Sequence, residues 1–565
     1  MNFTEQKLTG KASIDKPWLN FYPEQFRNLE IPRITIEAFL KMKNPNEDKI
    51  AFEYYGNKIT WKQLWEDVDV AARALKALGF NEGDRVPSFL VSTPAYFILL
   101  LAAERVGVAI ICRDDELDYL SKEDEELFRT TTPMTRMIKV SPFEYADKSQ
   151  MKDYVLEEIT ARYPAETETT EGDMSWQEFM ELGRNFKGEY LAPVDPDRAV
   201  FGAYTSGSTG ISKLVIHSSA NIVATAYQMS IFIPPSDVQE VWWTPILPPA
   251  LIAVTVSMTI FPLSTGLMVS LDPFCPLENI DIEFMDRKPN FWALIPLYCE
   301  MLMSSERIPE DYDMSHLRTI GAGAEAMNDR KYAEVEEFFH KHNVQAKLSA
   351  GYGQSEGCSN LTLPNPMFPL EDGCVGMPMT ATVLGVFDKD LNELNYGESG
   401  ELCMTGPSMM LHYSGWRGEE LTEQTLVEHP DGNTWLHTGD EAYITEQGIV
   451  HILGRGEIKA YGDKPLHVMR METKTVRTPG VKDGFFCLVP DQEHEGYYRP
   501  YLFVILDGTK TLEEVAELLK DTLEEHEYPV EIREITERPY FHFKTDRKGL
   551  TAQILKELEQ TKEEK

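Results

Sequence analysis

The chain has 565 residues, more than one hydrophobic core usually organises, so at least two domains are expected. Its 54 lysine and arginine residues stand against 92 aspartate and glutamate residues, which gives a formal net charge of −38. This charge excludes unaided binding to nucleic acid or to anionic lipid, because both are themselves negative. An anionic substrate must therefore be met by a local concentration of hydrogen-bond donors and cations.

The seven cysteines are scattered and form no CxxC pair, so neither a disulfide framework nor a cysteine metal motif is predicted. The first residues, MNFTEQKLTGKASIDKP, lack the apolar centre of a secretory signal. The longest apolar stretch, residues 246–263, contains three prolines and makes a poor membrane span. We therefore expect a cytoplasmic protein with no membrane span and no nucleic-acid partner.

Apolar residues at three- and four-residue spacing predict a surface helix over residues 59–78, ending at Gly79. Short β-like runs then alternate with helical ones, which predicts layered α/β architecture. Residues 112–173 are charged and irregular, and form either a charged surface region or an inserted element. A solvated face is the commoner explanation for such a segment.

The composition changes after Gly454, where two strand-like segments, FFCLVP and YLFVIL, precede an acidic helix predicted over residues 511–526. This pattern predicts a small α+β domain of about a hundred residues after a linker. The predicted domains are residues 1–455 and residues 456–565.

Residues 204–213, YTSGSTGISK, follow a short apolar run. Glycines let backbone N–H groups turn toward a ligand, hydroxyls add donors, and the lysine supplies a point charge for a polyphosphate. The spacing differs from that of the Walker loop. On composition alone, a flexible loop remains the commoner explanation.

The TSGSTG segment, followed after two residues by lysine, resembles the signature loop of the adenylate-forming superfamily. This superfamily includes acyl-CoA and aryl-CoA synthetases, firefly luciferase and the adenylation domains of nonribosomal peptide synthetases. Most members have proline before the lysine and glycine after it, where this chain has Ser212 and Leu214. The resemblance implies that the ATP phosphates are bound by Thr205, Ser206, Gly207, Ser208, Thr209, Gly210 and Lys213.

Two further segments occur in the order typical of this superfamily. Residues 321–325, GAGAE, resemble the segment that lines the adenine pocket, and residues 351–356, GYGQSE, resemble the YGxTE motif. By resemblance Ser355 contacts the α-phosphate and Glu356 binds magnesium, for which a hard carboxylate oxygen is suited. The adenine and its surroundings are assigned to Gly321, Ala322, Gly323, Ala324, Glu325, Tyr352, Gly353 and Gln354.

Residues 397–407, GESGELCMTGP, match the GExGEL segment and predict a structural turn without chemistry. Residues 435–440, WLHTGD, resemble the TGD motif, and the pair Gly454-Arg455 follows. The resemblance implies that Asp440 and Arg455 bind the ribose, since both side chains can hydrogen-bond vicinal hydroxyls.

Residues 543–550, FKTDRKGL, resemble the closing motif of the superfamily. Lys544 falls on its catalytic lysine, whose charge would neutralise the anion that develops as a carboxylate attacks the α-phosphorus. The usual lead-in to this motif is replaced here by RPYFHF.

The resemblance implies a large N-terminal domain of layered α/β subdomains and a small mobile α+β C-terminal domain. It also implies two reactions, in which Mg²⁺ and ATP activate a carboxylic acid as acyl-AMP and the acyl group then passes to a thiol. Rotation of the small domain after Arg455 would separate the two steps.

The hinge segment, residues 454–462 with sequence GRGEIKAYG, is shorter than the GRxDDxIKxxG of relatives. Glu457 would act at the hinge, and Gly462 would line the thiol tunnel. This shortening predicts that adenylation survives better than thioester formation, and equal vigour in both half-reactions would contradict it.

Residues 242–254, WWTPILPPALIAV, contain no charged residue, which favours an apolar pocket for an aryl or aliphatic acid, although core packing explains the segment equally well. No phosphopantetheine attachment site follows Lys544, so the thiol must come from another molecule, either coenzyme A or a separate carrier protein. A light-emitting oxidase and a non-catalytic nucleotide-binding protein are the alternatives from other classes. The second is disfavoured by Lys213, Glu356, Asp440, Arg455 and Lys544.

Overall fold

The computed structural model describes residues 8–112, 137–163, 172–205, 212–233, 236, 238–323, 327, 329–363, 373–415, 417–455, 459–462, 464–541 and 544–563. Its largest sheet has seven strands, which run in the order Leu348–Ala350, Ile320–Ala322, Phe291–Leu294, Val241–Pro245, Met268–Asp272, Ile50–Tyr54 and Asn57–Thr60. Neighbouring strands are parallel except for the last pair, which is an antiparallel hairpin. The carboxyl ends of the parallel strands therefore meet at one edge of the sheet.

Two more sheets complete the large N-terminal part of the chain. The five-stranded sheet has the order His412–Ser414, Leu214–Ser218, Ala199–Tyr204, Ala109–Cys112 and Arg85–Ser88. The antiparallel sheet has the order Val383–Phe387, Gly400–Thr405, Thr434–Ile444 and Leu426–Glu428, with Val450–Arg455 also paired to the long strand Thr434–Ile444. Five short pairs lie outside these sheets: Ile138–Lys139 with Met174–Ser175, Gly353–Gln354 with Ser359–Asn360, Thr362–Leu363 with Met377–Pro378, Ala460–Tyr461 with Lys464–Pro465, and Tyr540–Phe541 with Lys544–Thr545.

Helices cover the faces of the sheets and supply most of the core between them. The apolar helix Pro94–Val106 is buried almost all round. It lies between the seven-stranded sheet, which contributes Phe52, and the five-stranded sheet that ends at Arg85–Ser88, which contributes Ile110 and Phe201. The other helices of the large part are Ala12–Asp15, Ile36–Lys43, Trp61–Ala77, Asp153–Arg162, Trp176–Asn185, Ser219–Ser230, Ile252–Thr255, Val256–Ile260 (a π-helix), Phe261–Ser264, Ile280–Arg287, Pro296–Met303, Asp329–Lys341 and Gly418–Thr425. Single 3₁₀ turns occupy Pro17–Phe21, Glu24–Phe26, Lys148–Gln150, Leu277–Asn279 and Ser355–Gly357.

The predicted helix over residues 59–78 is observed as Trp61–Ala77. Its first turn begins after Thr60, because the Thr60 hydroxyl accepts a hydrogen bond from the Gln63 amide and caps the helix. Ile59 and Thr60 belong instead to the strand Asn57–Thr60. The three- and four-residue spacing therefore identified the helix, and the capping threonine placed its start.

The charged region predicted over residues 112–173 is described only in part, since residues 113–136 and 164–171 lie outside the described ranges. Residues 137–163 contain the helix Asp153–Arg162, whose Val155 and Ile159 are buried in the main core. The segment keeps a charged surface, since Asp153, Glu157 and Arg162 are exposed, but the helix also buries one apolar face in the core. The two apolar side chains are four residues apart and share one face of the helix, which the surrounding charge obscures in the sequence.

The C-terminal part is built on a three-stranded sheet of Val481–Pro490, Tyr498–Leu506 and Glu531–Glu534. Alternate strand residues enter two separate cores. Phe486 and Leu502 pack under the helices Val468–Val476 and Leu512–Thr522, whereas Phe485 and Phe503 pack under Arg547–Glu563. The acidic helix ends at Thr522 rather than at residue 526, because Leu523 is already extended.

The structure confirms the predicted mixed α/β class, with a large N-terminal part and a small α+β C-terminal part. Among the described helices, none combines the length and the apolar character that a membrane crossing requires.

Candidate active site

The predicted phosphate loop joins the antiparallel strands Ala199–Tyr204 and Leu214–Ser218. The amide of Thr205 donates to the Lys213 carbonyl at 2.9 Å, and the amide of Lys213 donates to the Thr205 hydroxyl at 3.1 Å. The Ser212 hydroxyl donates to the Thr205 carbonyl at 2.6 Å, so serine, where relatives have proline, helps to close the loop. The remaining predicted phosphate residues, Ser206, Gly207, Ser208, Thr209 and Gly210, lie outside the described residues.

Tyr413 connects this loop to the predicted magnesium ligand. The Lys213 ammonium lies 4.8 Å from the centre of the Tyr413 ring, a cation–π geometry. The Tyr413 hydroxyl donates to the Glu356 Oε1 atom at 2.7 Å, and both side chains are buried. The sequence analysis missed Tyr413, because it lies on the strand His412–Ser414 beyond any motif and reaches the site only by pairing with Leu214–Ser218.

His217 makes a second connection, also missed by the sequence analysis. It lies on the strand that follows the phosphate loop, and its Nε2 atom is 2.8 Å from the Ser355 carbonyl. Burial lowers the pKa of His217 to about 4, against the opposing effect of this hydrogen bond. The imidazole is therefore neutral at pH 7 and donates from Nε2. This hydrogen bond fixes the turn Ser355–Gly357 against the strand that follows the phosphate loop.

The segments GAGAE and GYGQSE follow adjacent parallel strands, Ile320–Ala322 and Leu348–Ala350, at their carboxyl ends. Among the described residues, a Cβ atom added at Gly321 or Gly323 would meet no neighbouring atom within 4 Å. Open space beside backbone suits a flat base, and the adenine assignment stays a prediction. Gly353 differs, because its added Cβ would lie 1.7 Å from the Ser359 carbonyl oxygen, so it is required by the hairpin itself.

A hydrogen bond joins the two motifs assigned to the nucleoside. The Tyr352 hydroxyl donates to the carboxylate of Asp440, which is buried in the strand Thr434–Ile444. Asp440 lies directly opposite Arg455 in the antiparallel pairing of this strand with Val450–Arg455. The sequence separates Tyr352 from both residues, and only the sheet brings them together.

Ala324 and Glu325 lie outside the described residues, and Gln354 lies in the short strand Gly353–Gln354. We call this assembly of His217, Gly321–Gly323, Tyr352–Glu356, Tyr413 and Asp440 the nucleotide platform.

Lys544 lies in the short antiparallel pair of Tyr540–Phe541 with Lys544–Thr545, which we call the lysine hairpin. Arg538 holds this hairpin to the C-terminal sheet, since it donates to the Thr545 hydroxyl at 2.9 Å and pairs with Asp483 at 2.7 Å. The Tyr540 hydroxyl donates to Glu300 of the large part at 2.8 Å. Arg538 and Tyr540 belong to the unusual RPYFHF lead-in, so these residues anchor and dock the hairpin.

The predicted hinge and thiol-tunnel residues are only partly described. Glu457 lies outside the described residues. Gly462 has a φ of +69°, and its added Cβ would lie 3.8 Å from the ring of Tyr497. Glycine is favoured there because the backbone is left-handed.

The apolar segment of residues 242–254 leaves the main sheet at the same edge as the nucleotide motifs. Ile246 follows the strand Val241–Pro245 and has a φ of +56°, which is strained for a β-branched residue. Trp243 and Trp292 pack with their ring centres 4.7 Å apart beneath it. Backbone strain of this kind is concentrated at functional sites, and it marks this end of the sheet as a candidate acyl site.

The chain is similar to known proteins in sequence and in fold. The family model described as "AMP-binding enzyme" matches residues 41–414. A long-chain-fatty-acid–CoA ligase of Bacillus subtilis (strain 168) is 26% identical over 527 residues, 88% of this chain and 90% of the relative. An acyl-CoA ligase, sidI, of Aspergillus fumigatus is 26% identical over 513 residues, 85% of this chain and 82% of the relative. The ATP-bound crystal structure of MatB from Rhodopseudomonas palustris has a TM-score of 0.74 at 20% identity and covers 93% of this chain and 100% of its own. This likeness confirms the predicted fold.

Proposed function

The chain belongs to the AMP-binding enzyme family, and on this premise we propose that it is an acid–thiol ligase. It uses ATP to convert a carboxylic acid into an acyl-AMP and pyrophosphate, and then transfers the acyl group to coenzyme A. The observation that carries this proposal is the nucleotide platform, in which Glu356, Tyr352 and Asp440 from separate motifs converge beside Lys213. The curated relatives with extensive overlap include CoA ligases, which supports the same reaction.

In the first step, the carboxylate of the substrate attacks the α-phosphorus of ATP and pyrophosphate leaves. Lys213 and the loop of residues 205–213 hold the β- and γ-phosphates, and Ser355 contacts the α-phosphate. Tyr352 and the open surface at Gly321 and Gly323 take the adenine. Lys544 neutralises the charge that develops on the α-phosphate, an interaction made most strongly in the transition state.

Asp440 and Arg455 bind the ribose hydroxyls. Asp440 already accepts a hydrogen bond from the Tyr352 hydroxyl, so the adenine and ribose contacts are fixed relative to each other before the nucleotide arrives. Preorganisation of this kind lowers the entropy cost of binding.

The donors of the platform fit magnesium, since Mg²⁺ is typically held by one or two carboxylates together with substrate phosphates. Glu356 offers a buried carboxylate whose position is set by the hydrogen bond from Tyr413. When bound, the ion would supply positive charge to the phosphates. The protein itself contributes the carboxylate oxygen that Tyr413 holds and the Lys213 ammonium over the Tyr413 ring.

For the second step, we propose that residues 456–565 form a small domain that turns about the segment after Arg455. Two observations support this division. The cores of the C-terminal sheet use residues of that part alone, and its own Arg538 and Asp483 hold the lysine hairpin. Rotation would withdraw Lys544 and bring Glu457 and Gly462 toward the acyl-AMP for attack by the thiol.

The acid is proposed to be aryl or aliphatic. The segment after the strand Val241–Pro245 carries no charge, and its strained Ile246 lies at the same sheet edge as the nucleotide motifs. An amino-acid substrate would require an acidic partner for its ammonium group. We place the reaction in the cytoplasm, because all seven cysteines are free thiols.

Pyrophosphate release from Mg-ATP tests the proposal, measured over a panel of aryl, short-chain, medium-chain and amino acids with and without coenzyme A. Turnover that requires both one acid class and coenzyme A is the expected result. Release that stops near one equivalent in both conditions would identify a carrier protein as the acceptor. Absence of release with every acid would contradict the catalytic proposal, and oxygen uptake would reveal a light-emitting oxidase.

A further inference from the structure

A cysteine and two histidines meet in the antiparallel sheet, beside the residues that lead to Asp440. Cys403, His429 and His437 each offer one ligand atom, and these atoms lie within 4.8 Å of one another. Cys403 and His437 are direct partners across the strands Gly400–Thr405 and Thr434–Ile444. His429 comes from the turn that precedes the second of these strands, and its Nε2 atom lies 2.9 Å from the His437 Nε2 atom.

The orientation of His437 is fixed in the manner of a metal ligand. Its Nδ1 atom lies 2.8 Å from the Glu401 carboxylate, which leaves Nε2 facing His429 and Cys403. A carboxylate that accepts from the far nitrogen of an imidazole sets the tautomer and raises the basicity of the ligating nitrogen. Glu401 therefore supplies the outer partner that histidine ligands usually have.

The surroundings exclude water and favour a borderline-soft ion. Cys403 is fully buried and His429 is 3% exposed, under the rings of Phe387 and Trp435. His437 retains 15% side-chain exposure, which provides a path for an ion to enter. One thiolate with two imidazoles suits Zn²⁺ or Co²⁺ rather than Mg²⁺, which prefers oxygen ligands.

We propose that Cys403, His429 and His437 bind one divalent ion of the zinc class. On binding, the Cys403 thiol loses its proton to solvent and the thiolate sulfur bonds to the ion, while the Nε2 proton of His429 moves through solvent to its Nδ1 atom and leaves Nε2 free to ligate. One proton is therefore released for each ion bound. The two imidazole nitrogens must separate only slightly, from 2.9 Å to the ~3.3 Å that a tetrahedral ion with ~2.0 Å bonds requires.

The site would stiffen the turn that carries Asp440. Glu401 holds His437 with one carboxylate oxygen and accepts from the Gly439 amide with the other at 3.1 Å. The Thr438 hydroxyl donates to the Leu402 carbonyl at 2.6 Å, between the two strands. An ion fixed behind His437 therefore restrains the residues that lead directly to Asp440.

Cobalt binding to the full-length protein provides the test, after treatment with a chelator and a non-thiol reductant. We expect one Co²⁺ per chain, a thiolate-to-cobalt charge-transfer band, and displacement of cobalt by Zn²⁺ but not by a millimolar excess of Mg²⁺. Cys403→Ala abolishes the band, whereas the control Cys299→Ala, which removes another buried thiol, leaves it unchanged. Absence of the band, or its persistence in Cys403→Ala, would overturn the proposal.

Two further variants keep the test valid if Cys403→Ala does not fold. His429→Gln removes a ligand from a turn rather than from a strand, and it must abolish tight Co²⁺ binding, while His526→Gln in the C-terminal part must not. Glu401→Gln should weaken binding about 10- to 100-fold, because it removes the partner of His437. If the two histidines only hydrogen-bond to each other and bind no metal, none of these variants will change Co²⁺ binding. That result would refute the site.

Discussion

The nucleotide platform and the lysine hairpin differ in how they are held. The platform is tied internally by hydrogen bonds that are buried or partly buried, from His217 to Ser355, from Tyr413 to Glu356 and from Tyr352 to Asp440. The hairpin is held within the C-terminal part by Arg538, and it touches the large part through Tyr540 and the partly exposed Glu300. This difference supports the proposal that a separate structural unit brings the Lys544 charge to a fixed binding surface.

Removal of the Lys544 ammonium should cause the largest loss of activity. We expect Lys544→Ala to lower the rate of acyl-AMP formation by about 10²–10³-fold, because the ammonium stabilises charge that develops in the transition state. ATP affinity should change little. The measurement is acid-dependent pyrophosphate exchange, with the exposed Lys556→Ala as the matched control. A normal exchange rate in Lys544→Ala would show that another group supplies the charge.

A larger side chain in the nucleotide platform should weaken ATP binding without lowering the stability of the protein. A Cβ atom at Gly321 would meet no atom of the described residues within 4 Å, so Gly321→Val should leave the Tm nearly unchanged. It should weaken ATP binding by about 1–3 kcal/mol, or about 5- to 150-fold, because the methyl groups occupy the proposed adenine space. Gly353→Ala provides the contrast.

Gly353→Ala should lower the Tm, since its Cβ would collide with the Ser359 carbonyl oxygen. Calorimetry and nucleotide titration of both variants separate the two glycines. Unchanged ATP affinity in Gly321→Val would place the adenine elsewhere.

Removal of one hydroxyl tests whether the platform fixes Glu356. Tyr413→Phe keeps the ring beside Lys213 but removes the donor to the carboxylate. A hydrogen bond to a charged group contributes about 1.5–3 kcal/mol, so we expect kcat/KM to fall about 10- to 100-fold, with a higher Mg²⁺ requirement. Tyr312→Phe is the control, because its hydroxyl donates to the Met285 carbonyl far from the motifs. Equal activities of the two variants would remove Tyr413 from the site.

Loss of the hydrogen bond from Tyr540 to Glu300 should cause the smallest loss of activity. Tyr540→Phe removes the hydroxyl that donates to Glu300 and leaves the Arg538 anchor intact. We expect a loss of about 1 kcal/mol, a roughly fivefold slower adenylation, with the Tm unchanged. Tyr528→Phe, which removes a hydroxyl within the C-terminal part, is the control. A loss as large as that of Lys544→Ala would mean that the hairpin is held as rigidly as the platform.

The interpretation of residues 397–407 shows the limit of motif reasoning. The GExGEL segment was predicted to be a structural turn, and its second half is the strand Gly400–Thr405. The contacts of Glu401 and Cys403 across to His437 depend on the strand register, which includes a shift between these two residues. A motif without assigned chemistry therefore contains one candidate metal ligand, Cys403, and the partner of another, Glu401.

The sequence by itself determined the fold class and the order of the motifs. It also predicts site roles for Lys213, Glu356, Asp440 and Lys544, because each lies in a short segment that resembles a family motif. The burial of helix Asp153–Arg162 and the positions of His217, Tyr413 and His429 were decided by tertiary structure alone. Tyr413 reaches Glu356, and Cys403 meets His437, through antiparallel strands that are distant along the chain. Strand pairing depends on the packing of the whole domain, so no local pattern in the sequence specifies these contacts.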